Sequence, residues 1–154
     1  IDNFAMKLKA KGITYDAAKS RALGPGGKFY NGTFMGEKAT FMVFFNAKSR
    51  IVFGVSVELS YSSVELARVP FTNIAEQLLK KYPKAVYGAN KDSNGDTNGL
   101  TFSIPNEADT EKIGVIIQTL NNSQSLLEDD CTISLMYTDV ENFKKSEVLN
   151  NEDL

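Results

Sequence analysis

Two neighbouring stretches constrain this fold more than anything else in the chain. In "KATFMVFFN" (38–46), Ala39, Phe41, Val43 and Phe45 fall on one face of an extended chain. In "IVFGVSVELSY" (51–61), Ile51, Phe53, Val55, Val57, Leu59 and Tyr61 do the same, against Val52, Gly54, Ser56, Glu58 and Ser60. A period of two over this length predicts strands with one face in a core and the other nearer water. The intervening "NAKSR" is short enough only for a hairpin, so the pair is antiparallel.

The same logic extends in both directions. "KFYNGTF" (28–34) reads as a further strand ending near Gly36. After Pro83 come "AVYGAN", "LTFSI" with Leu100, Phe102 and Ile104 on one face, "KIGVIIQTL", and "CTISLMYT" with Cys131, Ile133, Leu135 and Tyr137 in phase.

Helical patterns fall in two places. Asp2 and Asn3 suit an N-cap, Phe4 and Leu8 are one turn apart, and Gly12 suits the helix end. Ser62 and Glu65 have capping-box spacing and open a longer helix, Val64 to Tyr82. Leu66, Pro70, Ile74, Leu78 and Tyr82, flanked by Phe71, Ala75 and Leu79, form its apolar stripe. Pro70 cannot donate to the Leu66 carbonyl, which predicts a kink or a helix beginning nearer Val69. "LGPGGK" (23–28) breaks regular structure.

Strands joined by short loops, with helices leading each run, define an α+β protein. The expected architecture is an antiparallel sheet with two helices packed on one face, helix-plus-meander arranged twice. We expect a single domain over 1–140, with halves at 1–61 and 62–140, and a polar tail or short helix over 141–154.

Composition excludes more chemistry than it suggests. The 17 basic and 19 acidic residues nearly balance, and the Lys residues are scattered, so no cationic stripe for nucleic acid exists. With no His, the side chain best suited to proton transfer near neutral pH is missing. The single Cys131 rules out an internal disulfide and reads as a buried small hydrophobe. No apolar run approaches the ~20 residues of a membrane helix.

Each motif that hints at a site fails on a specific requirement. Asp92, Asn94 and Asp96 occupy alternating positions of a calcium-type loop, but Thr97 stands where the turn glycine belongs and Ser103 where the closing carboxylate belongs. The loop therefore reads first as a hairpin connection, with these three as the metal candidates. "GPGGK" lacks the first Gly of a phosphate loop and precedes a strand. "GVSVE" lacks the second Gly of a nucleophile elbow. We expect no catalytic set and no cofactor. Met42 and Phe44 lie on the face opposite Phe41 and Val43, making them interface candidates if no helix covers that face.

"YNGTFMGEKATFMVFFN", "IVFGVSVEL", a helix ending "LLKKYP" and a tail from "YTDVENFKK" to "NEDL" resemble small bacterial exported proteins of the periplasmic or lipid-anchored kind. The element order is similar to that of beta-lactamase inhibitor proteins and related outer-membrane assembly factors. These resemblances imply a periplasmic or extracellular location, with lipid anchoring through a removed N-terminal segment as one form. They also imply a non-enzymatic binding or interaction module whose partner is another envelope protein or a second copy of the chain. The alternative is a carbohydrate- or ion-binding protein, or a hydrolase, using loop carboxylates such as Asp92, Asp96 and Glu107.

Overall fold

The computed structural model describes residues 1–91, 95, 97–104, 111–120 and 130–151. The elements in chain order are α1 (Asp2–Ala10), β1 (Thr14–Asp16), α2 (Ala17–Ala22), β2 (Gly27–Phe34), β3 (Glu37–Phe45) and β4 (Val52–Tyr61). They continue with α3 (Val64–Lys81), β5 (Val86–Lys91), β6 (Thr97–Ile104), β7 (Glu111–Leu120), β8 (Asp130–Asp139) and α4 (Val140–Asn151). The protein is α+β with an antiparallel sheet, and its strand order is β1-β2-β3-β4-β8-β7-β6-β5. The chain divides into two compact units, Ile1–Val57 with Tyr137–Leu154, and Glu58–Met136.

In the first unit, β2 and β3 are joined through Met35 and Gly36, both with positive φ (53° and 87°). The Phe34–Glu37 pair closes this two-residue turn, whose left-handed backbone matches the twist of the strands it joins. The register places Tyr30 beside Phe41 and Lys28 beside Val43. Tyr30, Phe41, Val43 and Phe45 are all buried, together with Leu8 of α1 and Ile13. A Cβ on Gly32 would lie 2.8 Å from Ile13 Cγ1, so the chain after α1 runs directly against β2 there. Gly12, at φ +75°, provides the left-handed turn that sends the chain out of α1 toward β1.

The other face of this unit is occupied too. Gly27 pairs with Phe44, and a Cβ on Gly27 would meet Leu23 Cβ at 2.8 Å, placing the residue after α2 on the Phe44 side. A Cβ on Gly54 would lie 3.5 Å from Phe44 Cδ2. Met42 and Phe44 are accordingly half-buried. Gly54 is buried and Ser56 is only 1% exposed, which corrects the expectation that this face of β4 lies nearer water. Strand periodicity locates the two faces; what lies over each is a tertiary fact.

β1 and α2 have no strong pattern in the sequence, because both are too short for one. Hydrogen bonds hold them. Asp16 Oδ1 accepts from the Lys19 N–H at 3.0 Å, capping α2, while Asp16 Oδ2 accepts from Asn31 Nδ2 at 3.0 Å. The buried Ser20 hydroxyl donates to the Asp16 carbonyl at 2.5 Å and accepts from the Phe29 N–H at 2.8 Å. A side chain thus takes over a backbone partner of β2 where β1 ends.

The β3–β4 loop is built around Asn46, 3% exposed. Its Oδ1 accepts from the Lys48 and Ser49 N–H groups at 2.9 and 2.8 Å, and Arg50 adopts φ +59° to close the turn. Asn46 Nδ2 donates to the carbonyl and hydroxyl oxygens of Ser146 in α4, at 3.3 and 3.2 Å. Asp139 caps α4 by accepting from the Asn142 N–H at 2.9 Å. Phe143 of α4 meets Phe53 edge-on, ring centroids 5.5 Å apart. Residues 140–151, expected as a polar tail or short helix, therefore form a helix that meets the β3–β4 loop through Ser146 and β4 through Phe143.

In the second unit, α3 runs from Val64 through Pro70 without stopping, contrary to a start nearer Val69. A later N-terminus would remove the Ser63 cap, whose Oγ accepts from the Leu66 N–H at 3.3 Å. The cap is Ser63 rather than Ser62, and the buried face differs from the expected stripe. Ala67, Ile74 and Ala75 are buried while Leu66 is 60% exposed. Cys131, Ile133 and Leu135 of β8 are buried, as the alternation predicted, but Tyr137 is only half-buried and Thr132 on the opposite face is buried as well.

β5 and β6 form a hairpin from Val86–Ser103 to Lys91–Thr97, with a register shift at Asn90–Lys91. Gly95 in the connection has φ +85°. The calcium-loop candidates Asp92, Asn94 and Asp96, and the further carboxylate Glu107, lie outside the described residues.

Candidate functional site

A half-open cleft of about 470 Å³ lies in the first unit between α1, β1 and β2. Its lining comprises Ala5 and Lys9 of α1, Gly12 and Ile13 of the turn, Thr14 and Tyr15 of β1, and Lys28 and Tyr30 of β2. Pockets of this size accommodate a small organic ligand.

Local structure explains why these side chains converge. Ala5 and Lys9 are one helical turn apart and share a face of α1. Tyr15 pairs with Tyr30 across the β1–β2 ladder, so both rings project to the same side. Their centroids are 5.5 Å apart at an interplanar angle of 61°, an edge-to-face contact. Lys28 is two residues before Tyr30 on that side, and its Nζ stands 5.7 Å from the Tyr15 ring centroid and 5.8 Å from that of Phe45.

The electrostatics of the cleft are one-sided. Among the described residues, the charged ones lining it are Lys9 and Lys28, both basic, and no carboxylate lines it. Asp2 lies close enough to Lys28 to feel its charge, but it is committed to Arg50, whose Nη2 and Nε donate to its two oxygens at 2.6 and 3.2 Å. That hydrogen bond, more than any other influence, lowers the Asp2 pKa. Burial pushes the Tyr30 phenol pKa up, with Tyr15 and Asp2 adding to the effect, so Tyr30 is neutral at pH 7. The cleft can therefore offer an apolar wall, a neutral phenol and two ammonium groups, a set suited to holding an anion.

Of these residues the sequence singled out only Lys28, within a stretch that fails as a phosphate loop. The usable signals were the Lys-rich end of the first helix and the "KFY" aromatics, neither distinctive alone. Met42 and Phe44 are on the opposite side of the sheet from the cleft, as their phase relative to Tyr30 and Phe41 requires. Cys131 is fully buried and its thiol pKa is raised by burial, with the Glu65 charge adding to it. It is a packing residue. Among the described residues, no group of three or more Cys, Asp or Glu side chains is placed to hold a metal ion. Nor, among them, is any helix long and apolar enough to cross a membrane.

Comparison of the chain with protein-family models, curated proteins and solved structures gives no match.

Proposed function

We propose that this protein is a non-enzymatic binding module whose ligand seats in the α1–β1–β2 cleft. One observation carries the reading: an apolar, aromatic-walled cavity of small-ligand size whose charged lining residues are both basic. Lysines with no carboxylate beside them among the described lining residues supply binding contacts but no acid–base pair, which favours retention of a ligand over its conversion. The extracytoplasmic setting enters from the sequence resemblance, and fractionation of the producing cell tests it: recovery of the protein in the cytoplasm would remove that part of the proposal.

The test of the cleft is a thermal-shift screen of small organic acids, bases and neutral compounds against the wild type and Ala5→Trp, which fills the cleft from α1. The expected result is a Tm increase in the wild type that disappears in the filled variant. Equal shifts in both proteins would move the ligand elsewhere.

A second reading, contact with another envelope protein, is favoured by β5. All six of its residues are exposed, including Val86 and Tyr87, at an end of the strand order. Such an edge offers main-chain groups for an added strand. Pull-down from an envelope extract that survives Ala5→Trp and fails with Val86→Pro would support this reading over the first.

A further inference from the structure

We infer that the cleft selects an amphipathic monocarboxylate, with an aryl or hydrocarbon body against Ile13, Tyr15 and Tyr30 and its carboxylate held by Lys28, assisted by Lys9. The inference rests on the cleft being the ligand seat and adds the chemistry of what sits there.

Lys28 carries the argument. The residue is half-buried, and its ammonium stands over two aromatic rings, 5.7 Å from the Tyr15 centroid and 5.8 Å from that of Phe45. It makes no hydrogen bond and no ion pair with any described residue. The acid whose charge it shares, Asp2, spends both oxygens on Arg50. A cation at an apolar wall whose nearest acid is already hydrogen-bonded to an arginine gains most from an anion that brings its own apolar surface. Lys9, on the α1 side, adds a second positive charge to the rim.

The same features argue against other ligand classes. A phosphate is best held by converging backbone N–H groups, as in a nest or helix N-terminus, whereas the cleft presents lysine point charges beside hydrocarbon. Cations are repelled by both lysines. Neutral molecules would fill the wall and leave Lys28 as it is. The neutral Tyr30 phenol adds no negative charge to oppose a carboxylate.

The test holds the ring constant and varies only charge: 2-naphthoate, 2-naphthamide and 2-naphthylmethylammonium are titrated into the folded full chain by calorimetry. 2-Naphthoate is expected to bind about tenfold more tightly than the amide, the scale of one charge-assisted hydrogen bond, and the ammonium most weakly. Lys28→Met keeps the hydrocarbon stem and should erase the preference while leaving amide affinity unchanged. Lys28→Arg should retain it, and 0.5 M salt should narrow it because the cleft is half-open. If all three compounds bind equally and Ala5→Trp blocks all three, the cleft stands as a ligand seat and the carboxylate assignment falls. Naphthoate binding that Ala5→Trp leaves intact would overturn both. Failure of naphthoate to bind at millimolar concentration, with the screen still giving a cleft-dependent Tm shift from another compound, would overturn the carboxylate assignment alone.

Discussion

The strands at the two ends of the strand order are finished differently. β1 is three residues long, and its chain turns at once into α2, which returns the Ser20 hydroxyl to the Phe29 N–H of β2. β5 is six residues long, exposed throughout, and protected by a register shift and Lys91 at its far end. The glycines register the contrast. Gly27 and Gly32 in β2 have side chains pressed against them, whereas Gly88 in β5 has no described atom within 4 Å of where a Cβ would stand. One edge is a packed structure enclosing a cleft; the other is open ladder.

The largest effect should come from the fastening of the first unit. Asn46→Ala removes the loop's internal acceptor and leaves buried Ser146 oxygens without their Asn46 donor, a loss of about 2–3 kcal/mol in urea denaturation. A loss below half of that would mean that the loop and α4 hold without the buried amide.

Gly32→Ala should cost about 1–3 kcal/mol, since its Cβ would lie 2.8 Å from Ile13 Cγ1 and press tightly on the Ile13 backbone at 3.3 Å. Gly88→Ala should change stability by less than about 0.5 kcal/mol, in the stabilising direction if either, because a side chain restores strand preference without a clash. Equal costs for the two would break the comparison outright.

Ser20→Ala should cost about 1–2 kcal/mol, because the Phe29 N–H loses its acceptor in a partly buried setting. Hydrogen exchange sharpens this: the Phe29 amide should exchange faster in the variant while amides of the β5–β6 ladder do not change.

The smallest effect concerns acid. Asp16 has its pKa lowered first by the Lys19 backbone N–H and then by Asn31. A carboxyl whose folded pKa lies below its unfolded one contributes stability above the unfolded value, about 3.9, and loses it as pH falls through the folded value. Asp16→Asn should therefore flatten the fall in stability below about pH 4 and leave the pH 6–8 range flat in both proteins. An unchanged acid slope would remove Asp16 from the edge's stability.

The elements with long, regular patterns were legible without coordinates. β3, β4 and β8 follow from alternation, and α3 falls within a residue of its expected bounds because a cap and a Pro83 stop bracket it. β1 and α2 were not legible, since three and six residues carry too little periodicity against side-chain bonds made across the sheet. The cleft was not legible either. Its lysines are nineteen positions apart, and only the pairing of Tyr15 with Tyr30 brings their surroundings together.

Local chemistry alone therefore determined the class of this protein: period-two strands, capped helices and short turns give an α+β antiparallel sheet, and the missing His and single Cys narrow its chemistry. Tertiary structure decided which surfaces count. Ser56 is buried and Leu66 exposed, against their local patterns, because burial is set by what packs above a face. Asn46 and Ser146, a hundred residues apart, become partners because the closing helix returns to the first hairpin. Lys28, unremarkable in its own stretch, comes to stand over two aromatic rings. Alternation and capping act over a few residues; the position of a lysine at an apolar wall depends on the whole arrangement of the first unit.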